Sequence, residues 1–479
     1  MSPPASGRSS ASLERVGLWV VIVALLLGFW LRLDLALGEH GIYYFDEIHQ
    51  SFEPAHRLAF GYGLLPFEYS MGLRSWLLPG LLAGLLRLAD LLGLGTPHGY
   101  LGLARGLFAV GGLSAAIGAG WLARPAGGRW GAWVAAVAVA LSAPIIYLDS
   151  RGLSEAVSLP LVVWGVALSL RRRPAIGALL LALAVGMRLQ NGVFPMVVLV
   201  WLALRGDRRQ LAWFLGVSLA GALALGGLDA LTWGGWFHAP ITYLRWQLEA
   251  GGAQAFNPQP VHYYLTTLWS AQGLSFLVLA GLALAAARRS PGLLALALVP
   301  LALHSFVPYK QLRFVLPALP FLAAAAGVGA GMLGRRIGRP AWVGLAAALA
   351  LASSAGGLRS LSFGDLGQDF VTRPERSAFD YQGGINRLLA VASQRDELCG
   401  ILVENRHRVQ LGGYTWLHRD VPLYGTEGPA AQAGHYNYVI AVRPPAPGER
   451  VVAVDDPYLL IALPLQDCVP DPDFSWELN

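Results

Sequence analysis

Asp46 and Glu47 are adjacent carboxylates that follow the first long apolar stretch of the chain, residues 16–31. From Glu47 to Arg57 the polar side chains recur on one helical face, which predicts an amphipathic helix lying along a membrane surface. Such a helix would hold Asp46 at the boundary between lipid and water. An ordinary solvated loop is the alternative. The polar residues of this face are His49, Gln50, Glu53, His56 and Arg57.

Basic side chains stand within or beside apolar segments at three other places: Arg151, Arg188, and the pair Lys310 and Arg313. A cation near the middle of a membrane span costs about 2.5–3.5 kcal/mol. Such residues therefore indicate a functional site, although each could instead extend its charged end to the membrane surface. Their convergence with Asp46 on one side of the membrane, in the topology predicted below, favours the functional interpretation.

Carboxylates and cations at an outer membrane surface suit the transfer of a sugar from a lipid carrier. A carboxylate can act as general base, drawing the proton from an acceptor hydroxyl as it attacks the anomeric carbon. Arg and Lys stabilise the departing phosphate. Outside the cytoplasm nucleotide sugars are normally unavailable, so the predicted donor is a polyprenyl-phosphate sugar. We find no glycine-rich phosphate loop, zinc-ligand spacing or serine nucleophile motif, so we predict no cofactor and no metal ligands, leaving a divalent metal open.

The composition places these residues in a membrane protein. Of 479 residues, 55% are hydrophobic and 13% are charged, which excludes a soluble enzyme of ordinary composition. The formal net charge of +6 comes from short Arg clusters beside apolar runs, so it indicates membrane orientation rather than nucleic-acid binding. From residue 360 onward polar residues return, and 438–442 and 458–463 are predicted to be strands. The predicted fold is an all-α polytopic membrane protein with a small carboxyl-terminal α/β domain.

The Arg clusters predict the topology, because basic residues concentrate on the cytoplasmic side. Residues 1–15 are cytoplasmic, 16–358 form about eleven membrane spans, and 360–479 form an extracytoplasmic soluble domain. The segment 76–94 is predicted not to cross. A catalytic outer loop, 38–76, and a second outer loop, 232–264, then lie on the extracytoplasmic side, for which we expect a bacterial inner membrane. Twelve spans with the polar domain inside are the alternative.

The only two cysteines, Cys399 and Cys468, both lie in the predicted outer domain. An oxidising compartment permits a bridge between them, so we predict a disulfide. Two buried free thiols are the alternative.

Motifs across most of the apolar region resemble those of the membrane-embedded GT-C glycosyltransferases, specifically the Alg9-like mannosyltransferases that include the GPI mannosyltransferases. The family's His-Pro before the paired acids is Tyr44-Phe45 here, so the sequence leaves the sugar and the acceptor open. The matching elements are Phe45-Asp46-Glu47, Gln50, Glu53, His56, Phe67-Glu68-Tyr69, Arg74-Ser75, Arg151-Gly152-Leu153-Ser154, Asp229, the segment 257–264 and Lys310-Gln311-Leu312-Arg313-Phe314.

The resemblance implies an inverting transfer of a sugar, mannose in this family, from a polyprenyl or dolichyl phosphate to a glycan or glycolipid acceptor. It implies that Asp46 is the catalytic acid or base and that Glu47 is its close partner. The residues predicted to bind substrate are His49, Gln50, Glu53, His56, Arg57, Glu68, Tyr69, Arg74, Arg151, Arg188, His262, Lys310 and Arg313.

A transporter or a lipid or glycan flippase is the competing interpretation, because it too would place charges inside a helical bundle. Transporters usually show paired inverted repeats and broken helices near the membrane midplane. The sequence shows neither pattern, and its unusual polar groups gather at one surface, which favours the enzyme.

Overall fold

The computed structural model describes residues 6–249, 258–368, 373–426, 434–464, 468–469 and 471–478. Part of the predicted second outer loop, 250–257, including Asn257 of the motif, lies outside the described residues. In chain order the α-helices are α1 (Ser6–Gly38), α2 (Glu53–Phe60), α3 (Phe67–Ser70), α4 (Leu77–Leu91), α5 (Pro97–Ala140), α6 (Ala143–Asp149), α7 (Ser154–Leu170), α8 (Pro174–Met187), α9 (Val193–Arg205), α10 (Arg208–Trp233), α11 (His238–Glu249), α12 (Tyr263–Gln272), α13 (Leu274–Ala285), α14 (Pro291–Phe306), α15 (Leu319–Ile337), α16 (Pro340–Ala352), α17 (Gly383–Ala392) and α18 (Gly413–Leu417).

Within the described residues, five helices are long and apolar enough to cross a membrane, and a sixth span results if the bent pair α6 and α7 counts as one. Four shorter apolar helices, of 10–17 residues, accompany them. The structure therefore describes a multi-pass membrane protein, while the predicted number of eleven spans stays a prediction. The long candidates are Ser12–Gly38, Pro97–Ala140, Arg208–Trp233, Leu312–Ile337 and Pro340–Ser360.

Helix α5 consists of two arms, because Gly128 leaves the helical conformation with a φ of 70°. That break lies between the apolar runs 98–122 and 130–148 of the sequence. The arm after the break packs against α15 through glycines. A side chain on Gly131 would lie 2.5 Å from the carbonyl oxygen of Gly327, so only small residues let these two backbones approach so closely.

Helix α4 occupies the segment 76–94 that we predict does not cross the membrane. Its buried face, which includes Leu82 and Leu86, packs in the same apolar cluster as Ile48, Phe52 and Tyr100. Arg87 and Asp90 lie 3.6 Å apart on its exposed side. The helix thus supports the first outer loop, and its course relative to the membrane stays a prediction.

The carboxyl-terminal part contains a five-stranded mixed sheet in the order β3-β2-β4-β6-β5, and helix α17 packs against it. The segments 438–442 and 458–463 predicted as strands contain β4 and β6, which pair antiparallel with Tyr438 opposite Ala462. Cys399 and Cys468 form the predicted disulfide, with their Cα atoms 6.0 Å apart. The strands are β1 (Leu65–Pro66), β2 (Ile401–Val403), β3 (Leu423–Tyr424), β4 (Tyr438–Ala441), β5 (Arg450–Asp455), β6 (Tyr458–Ala462) and β7 (Glu477–Leu478).

The first outer loop and the carboxyl-terminal part share one hydrophobic core. Ile48 and Phe52 of the loop belong to the same buried cluster as Leu389, Trp416 and Leu478. Strand β1 of the loop also pairs in parallel with strand β7. The predicted surface helix of the loop is therefore covered by protein: Ile48–Phe52 forms a short π-helix that continues into α2, and most of its side chains are buried.

Candidate active site

Asp46 is the one of the two adjacent acids that remains accessible, with 31% of its side chain exposed. It lies at the start of the turn before the π-helix and forms an ion pair with Nη2 of Arg313. Arg313 comes from the 3₁₀ segment Leu312–Ala318, and its guanidinium lies 4.6 Å from the centre of the Tyr44 ring. Its Nε donates to Oε1 of Gln311 at 2.6 Å. These contacts hold Asp46 at an open position beside a fixed cation.

Glu155 joins this cluster, although we did not include it among the predicted site residues. Its Oε1 lies 3.3 Å from Nη1 of Arg313 and 2.8 Å from Nη1 of Arg188. Ser154 donates to its second oxygen at 3.0 Å. Glu155 is fully buried in the first turn of α7. An acid beside apolar residues was the signal that could have found it, the same signal that identified Arg151 nearby.

Gln50, Glu68 and Arg74 form the second edge of the cluster. Oε1 of Glu68 accepts from Gln50 at 3.2 Å and from Arg74 at 2.9 Å. Burial raises the pKa of Glu68, while Arg74 opposes this rise and the nearby Asp46 adds to it. Tyr69 donates its hydroxyl to the backbone oxygen of Gln50 at 2.8 Å. Four predicted substrate-binding residues are therefore brought together close to Asp46.

Glu47 points away from this opening. Its carboxylate is buried and lies 3.0 and 3.2 Å from Nη1 of Arg151. It also accepts from the backbone N–H of Tyr43 at 2.6 Å, and Arg151 donates in turn to the hydroxyl of Tyr147 at 2.8 Å. Glu47 and Arg151 thus fix the turn that carries Asp46. Both side chains are buried and are not accessible to a substrate.

His49, Glu53 and His56 face the carboxyl-terminal part instead of Asp46. Nε2 of His49 lies 2.8 Å from the backbone oxygen of Val409, and Nε2 of His56 lies 2.8 Å from Nδ1 of His418. Burial lowers the pKa of His49 to about 4. Burial and then His418 lower the pKa of His56 to about 3. Burial also raises the pKa of Glu53, which four hydrogen bonds oppose.

Three further predicted substrate-binding residues lie outside the cluster. Arg57 donates to the backbone oxygen of Gly63 at 2.5 Å, which stabilises its own loop. Lys310 donates to the backbone oxygen of Gln259 at 2.7 Å, and so connects the second outer loop to the segment before Arg313. His262 is exposed at the start of α12. The structure does not bring these three side chains to Asp46.

Arg188 lines one cavity, and a larger groove is lined by the neighbouring Leu189 and Gln190. A groove of about 1490 Å³ runs between α9 and α14; apolar side chains line it, His304 and Gln190 lie at one end, and Arg205 and Arg289 lie at the other. A smaller cavity of about 300 Å³ is lined by Arg74, Arg188, Asp229 and Tyr243 among others. The two share Leu189 and Gln190. The charged cluster therefore lies next to a long apolar groove.

No group of three or more His, Cys, Asp or Glu side chains that could hold a metal ion occurs in the described part of the chain. The carboxylates nearest Asp46 each have an arginine partner, Glu68 with Arg74 and Glu155 with Arg188. The positive charges of this cluster are the guanidinium groups of Arg74, Arg188 and Arg313.

The fold is that of the GT-C membrane glycosyltransferases. ArnT from Cupriavidus metallidurans, solved bound to undecaprenyl phosphate, superposes with a TM-score of 0.59 at 14% identity, covering 98% of this chain and 100% of that one. The oligosaccharyltransferase of Archaeoglobus fulgidus in its apo form gives a TM-score of 0.56 at 12% identity, covering 89% and 69%.

The chain belongs to the Alg9-like mannosyltransferase family, whose family model matches residues 22–357, and the resemblance seen in the sequence is confirmed. Mannosyltransferase APTG1 of Arabidopsis thaliana is 28% identical over 59% of this chain and 54% of its own length. GPI mannosyltransferase 3 of Yarrowia lipolytica is 28% identical over 65% of this chain and 62% of its own length. The match thus spans less than two thirds of either relative.

Proposed function

We propose that this protein transfers mannose from a polyprenyl-phosphate carrier to a hydroxyl of a glycan or glycolipid, with inversion at the anomeric carbon. One observation carries the proposal: an accessible carboxylate, Asp46, pairs with the buried Arg313, and Glu155 links Arg313 to Arg188, which precedes the groove residues Leu189 and Gln190. Family membership supplies mannose as the sugar and favours transfer over the transport that the sequence left as an alternative.

The groove offers the chemistry that a lipid-linked donor requires. A polyprenyl chain would occupy the apolar wall between α9 and α14, and its phosphate would reach the end of the groove at Gln190 and the neighbouring Arg188. A guanidinium binds phosphate oxygens in a fork and neutralises charge as the phosphate departs. The structural relative solved with undecaprenyl phosphate, ArnT, supports a polyprenyl phosphate as the kind of ligand.

Transfer then proceeds as a single displacement. The acceptor hydroxyl gives its proton to Asp46 while its oxygen bonds to the anomeric carbon from the face opposite the phosphate. The bond between that carbon and the phosphate oxygen breaks, and the polyprenyl phosphate leaves with the electron pair. Arg188 and Arg313 stabilise the departing charge. Because Asp46 is partly exposed, it can release its proton to water before the next cycle.

The disulfide supports an extracytoplasmic site. Such bridges persist in oxidising compartments and are rare in the cytoplasm, so the bridge between Cys399 and Cys468 favours an extracytoplasmic location for this part. That part shares its hydrophobic core with the first outer loop, and Asp46 therefore belongs on the same side. The bacterial inner membrane expected from the sequence stays a prediction.

The experiment that tests the function is a comparison of donors. Purified protein should transfer labelled mannose from polyprenyl-phosphate mannose to a glycolipid extract of its host membranes, and it should ignore GDP-mannose. Efficient transfer from GDP-mannose without any lipid carrier would contradict the proposal. Movement of the labelled lipid across a vesicle membrane without any transfer of the sugar would support a flippase instead.

A further inference from the structure

We infer that the carboxyl-terminal part, residues 373–478, positions the catalytic loop, and that Glu53 is the positioning residue through which it acts. This inference rests on the proposed function, because the loop is catalytic only if Asp46 acts in sugar transfer. The part lies beyond residues 22–357, which the family model matches, so the family match assigns it no role. Besides contacts at Glu39, His40 and Ile42, this part holds the loop at two places that adjoin Gln50 and Glu68 of the Asp46 cluster.

The first place is one face of the helix that follows Asp46. His49, Glu53 and His56 stand four and then three residues apart, so they lie on a single helical stripe. All three are buried, and each contacts the carboxyl-terminal part, at Val409, at α18 and at His418. Gln50 lies beside this stripe and donates to Glu68. The same short helix is thus held by the carboxyl-terminal part and carries a residue of the Asp46 cluster.

Glu53 is the centre of this contact. Its Oε1 accepts from the backbone N–H groups of Leu64 and Tyr414 at 2.9 and 3.0 Å. Its Oε2 accepts from the backbone N–H and the hydroxyl of Thr415 at 3.0 and 2.8 Å. One buried carboxylate therefore joins the helix α2, the chain before β1 and the helix α18. A buried network whose members are all satisfied rigidifies the structure around it.

The second place is the segment that leads to Glu68. The backbone N–H of Leu65 donates to the oxygen of Trp476 at 2.7 Å, and Leu65–Pro66 pairs with Glu477–Leu478. Arg408 holds the partner strand by donating to the backbone oxygens of Ser475 and Glu477 at 2.7 and 3.1 Å. Helix α3, which carries Glu68, begins directly after β1.

These two attachments predict an effect on turnover rather than on donor binding. The groove proposed for the lipid is lined mainly by α9 and α14, and neither helix is among the attachments just described. The attachments instead fix Asp46, Gln50 and Glu68 relative to one another. A displacement of about 1 Å at a reacting group can lower a rate by about 100-fold, so loosening the loop should reduce kcat while leaving the KM for the donor nearly unchanged.

Thr415→Val and Thr415→Ser provide the matched test. Serine keeps the hydroxyl that donates a hydrogen bond to Glu53, and valine lacks it. Thr415→Val should lower kcat about tenfold, corresponding to the loss of one hydrogen bond to a buried charge, while KM for polyprenyl-phosphate mannose changes less than twofold. Thr415→Ser should restore turnover. Amide hydrogen exchange in residues 44–60 and 64–70 should become faster in the Val variant and not in the Ser variant.

Ser393→Ala is the control. Ser393 lies in the same carboxyl-terminal part, but its hydroxyl donates to the backbone oxygen of Ala390. The Ser393→Ala variant should change neither kcat nor hydrogen exchange in the loop. Full turnover and unchanged exchange in Thr415→Val would overturn the inference, and so would a change confined to KM. If wild-type protein transfers no mannose, the proposed function fails. Hydrogen exchange then still decides whether Thr415 holds the loop.

Discussion

Arg313 and Asp46 form an ion pair although 267 positions separate them in the chain. The pair joins the first outer loop to the segment before α15, and the same arginine also contacts the buried Glu155. One guanidinium thereby connects an exposed carboxylate to a buried one. This arrangement gives the two acids different environments, and it supports the proposed role of Asp46 as proton acceptor.

Asp46→Asn should lower kcat by about 10²–10⁴-fold, the usual contribution of a positioned acid or base. Asparagine keeps the size of the side chain but has no basic carboxylate. Donor binding and insertion into the membrane should be retained. Transfer by purified variants with saturating donor and acceptor measures the effect. Asp34→Asn is the matched control, because Asp34 forms an exposed ion pair with Arg359. Near-normal turnover in Asp46→Asn would refute the assignment.

Glu47→Gln should reduce stability more than it reduces turnover. The substitution leaves Arg151 buried without its ionised partner, and breaking a buried pair in this way costs about 3–5 kcal/mol. Thermal unfolding in detergent measures this loss, and the decrease in kcat should be smaller than that of Asp46→Asn. Glu14→Gln removes an exposed ion pair with Arg129 and should have little effect. Loss of turnover in a fully stable Glu47→Gln protein would contradict the positioning role.

The contact between the loop and the carboxyl-terminal part should weaken as the pH falls from about 6.5 towards 4. His56 has a pKa of 6.5 when unfolded and about 3 when folded, so the unfolded state binds more protons in this window. Stability consequently decreases with falling pH, by up to about 1.4 kcal/mol per pH unit for each such histidine. Glu53, whose pKa is raised, contributes in the opposite direction.

Thermal unfolding between pH 4 and 8 measures this dependence. His56→Gln should flatten the slope, whereas His262→Gln, at an exposed position, should leave it unchanged. An identical slope in wild-type protein and His56→Gln would show that this histidine is not held neutral in the folded state.

Unreduced, denatured protein should contain no thiol that an alkylating reagent can modify, because Cys399 and Cys468 are bonded. The bridge closes a separation of 69 residues, so replacing both cysteines with serine should destabilise the carboxyl-terminal part by roughly 4 kcal/mol.

A reporter that is active only in the cytoplasm, fused after Asn479, should be silent. Strong reporter activity would place both this part and Asp46 on the cytoplasmic side.

The sequence predicted the composition of the site better than its arrangement. Asp46, Arg188 and Arg313 were identified because charge beside an apolar run is costly and therefore informative. The ion pairs themselves were not predictable, since they depend on how distant helices pack. Glu155 was not selected, and an acid in the first turn of a helix is also an ordinary feature of a helix terminus.

The sequence predicted a helix with His49, Gln50, Glu53, His56 and Arg57 on one polar face, but it did not predict that the carboxyl-terminal part covers His49, Glu53 and His56. A polar stripe has the same periodicity whether it faces water, a substrate or another part of the protein. Here the partner lies more than 300 positions away in the chain, and α18 supplies backbone donors that no sequence pattern marks. Periodicity identifies a face of a helix, whereas only packing identifies what covers it.

The hydrogen bonds of Glu53 have a consequence for biosynthesis. Tyr414, one of the groups that complete the loop, follows Glu53 by 361 positions. A ribosome adds about 5–20 residues per second, so the nascent loop remains without this partner for roughly 20 to 70 s. During that interval the Glu53 carboxylate, which the finished protein buries, lacks the donors that Tyr414 and Thr415 supply, and this face of the loop is available to chaperones and proteases.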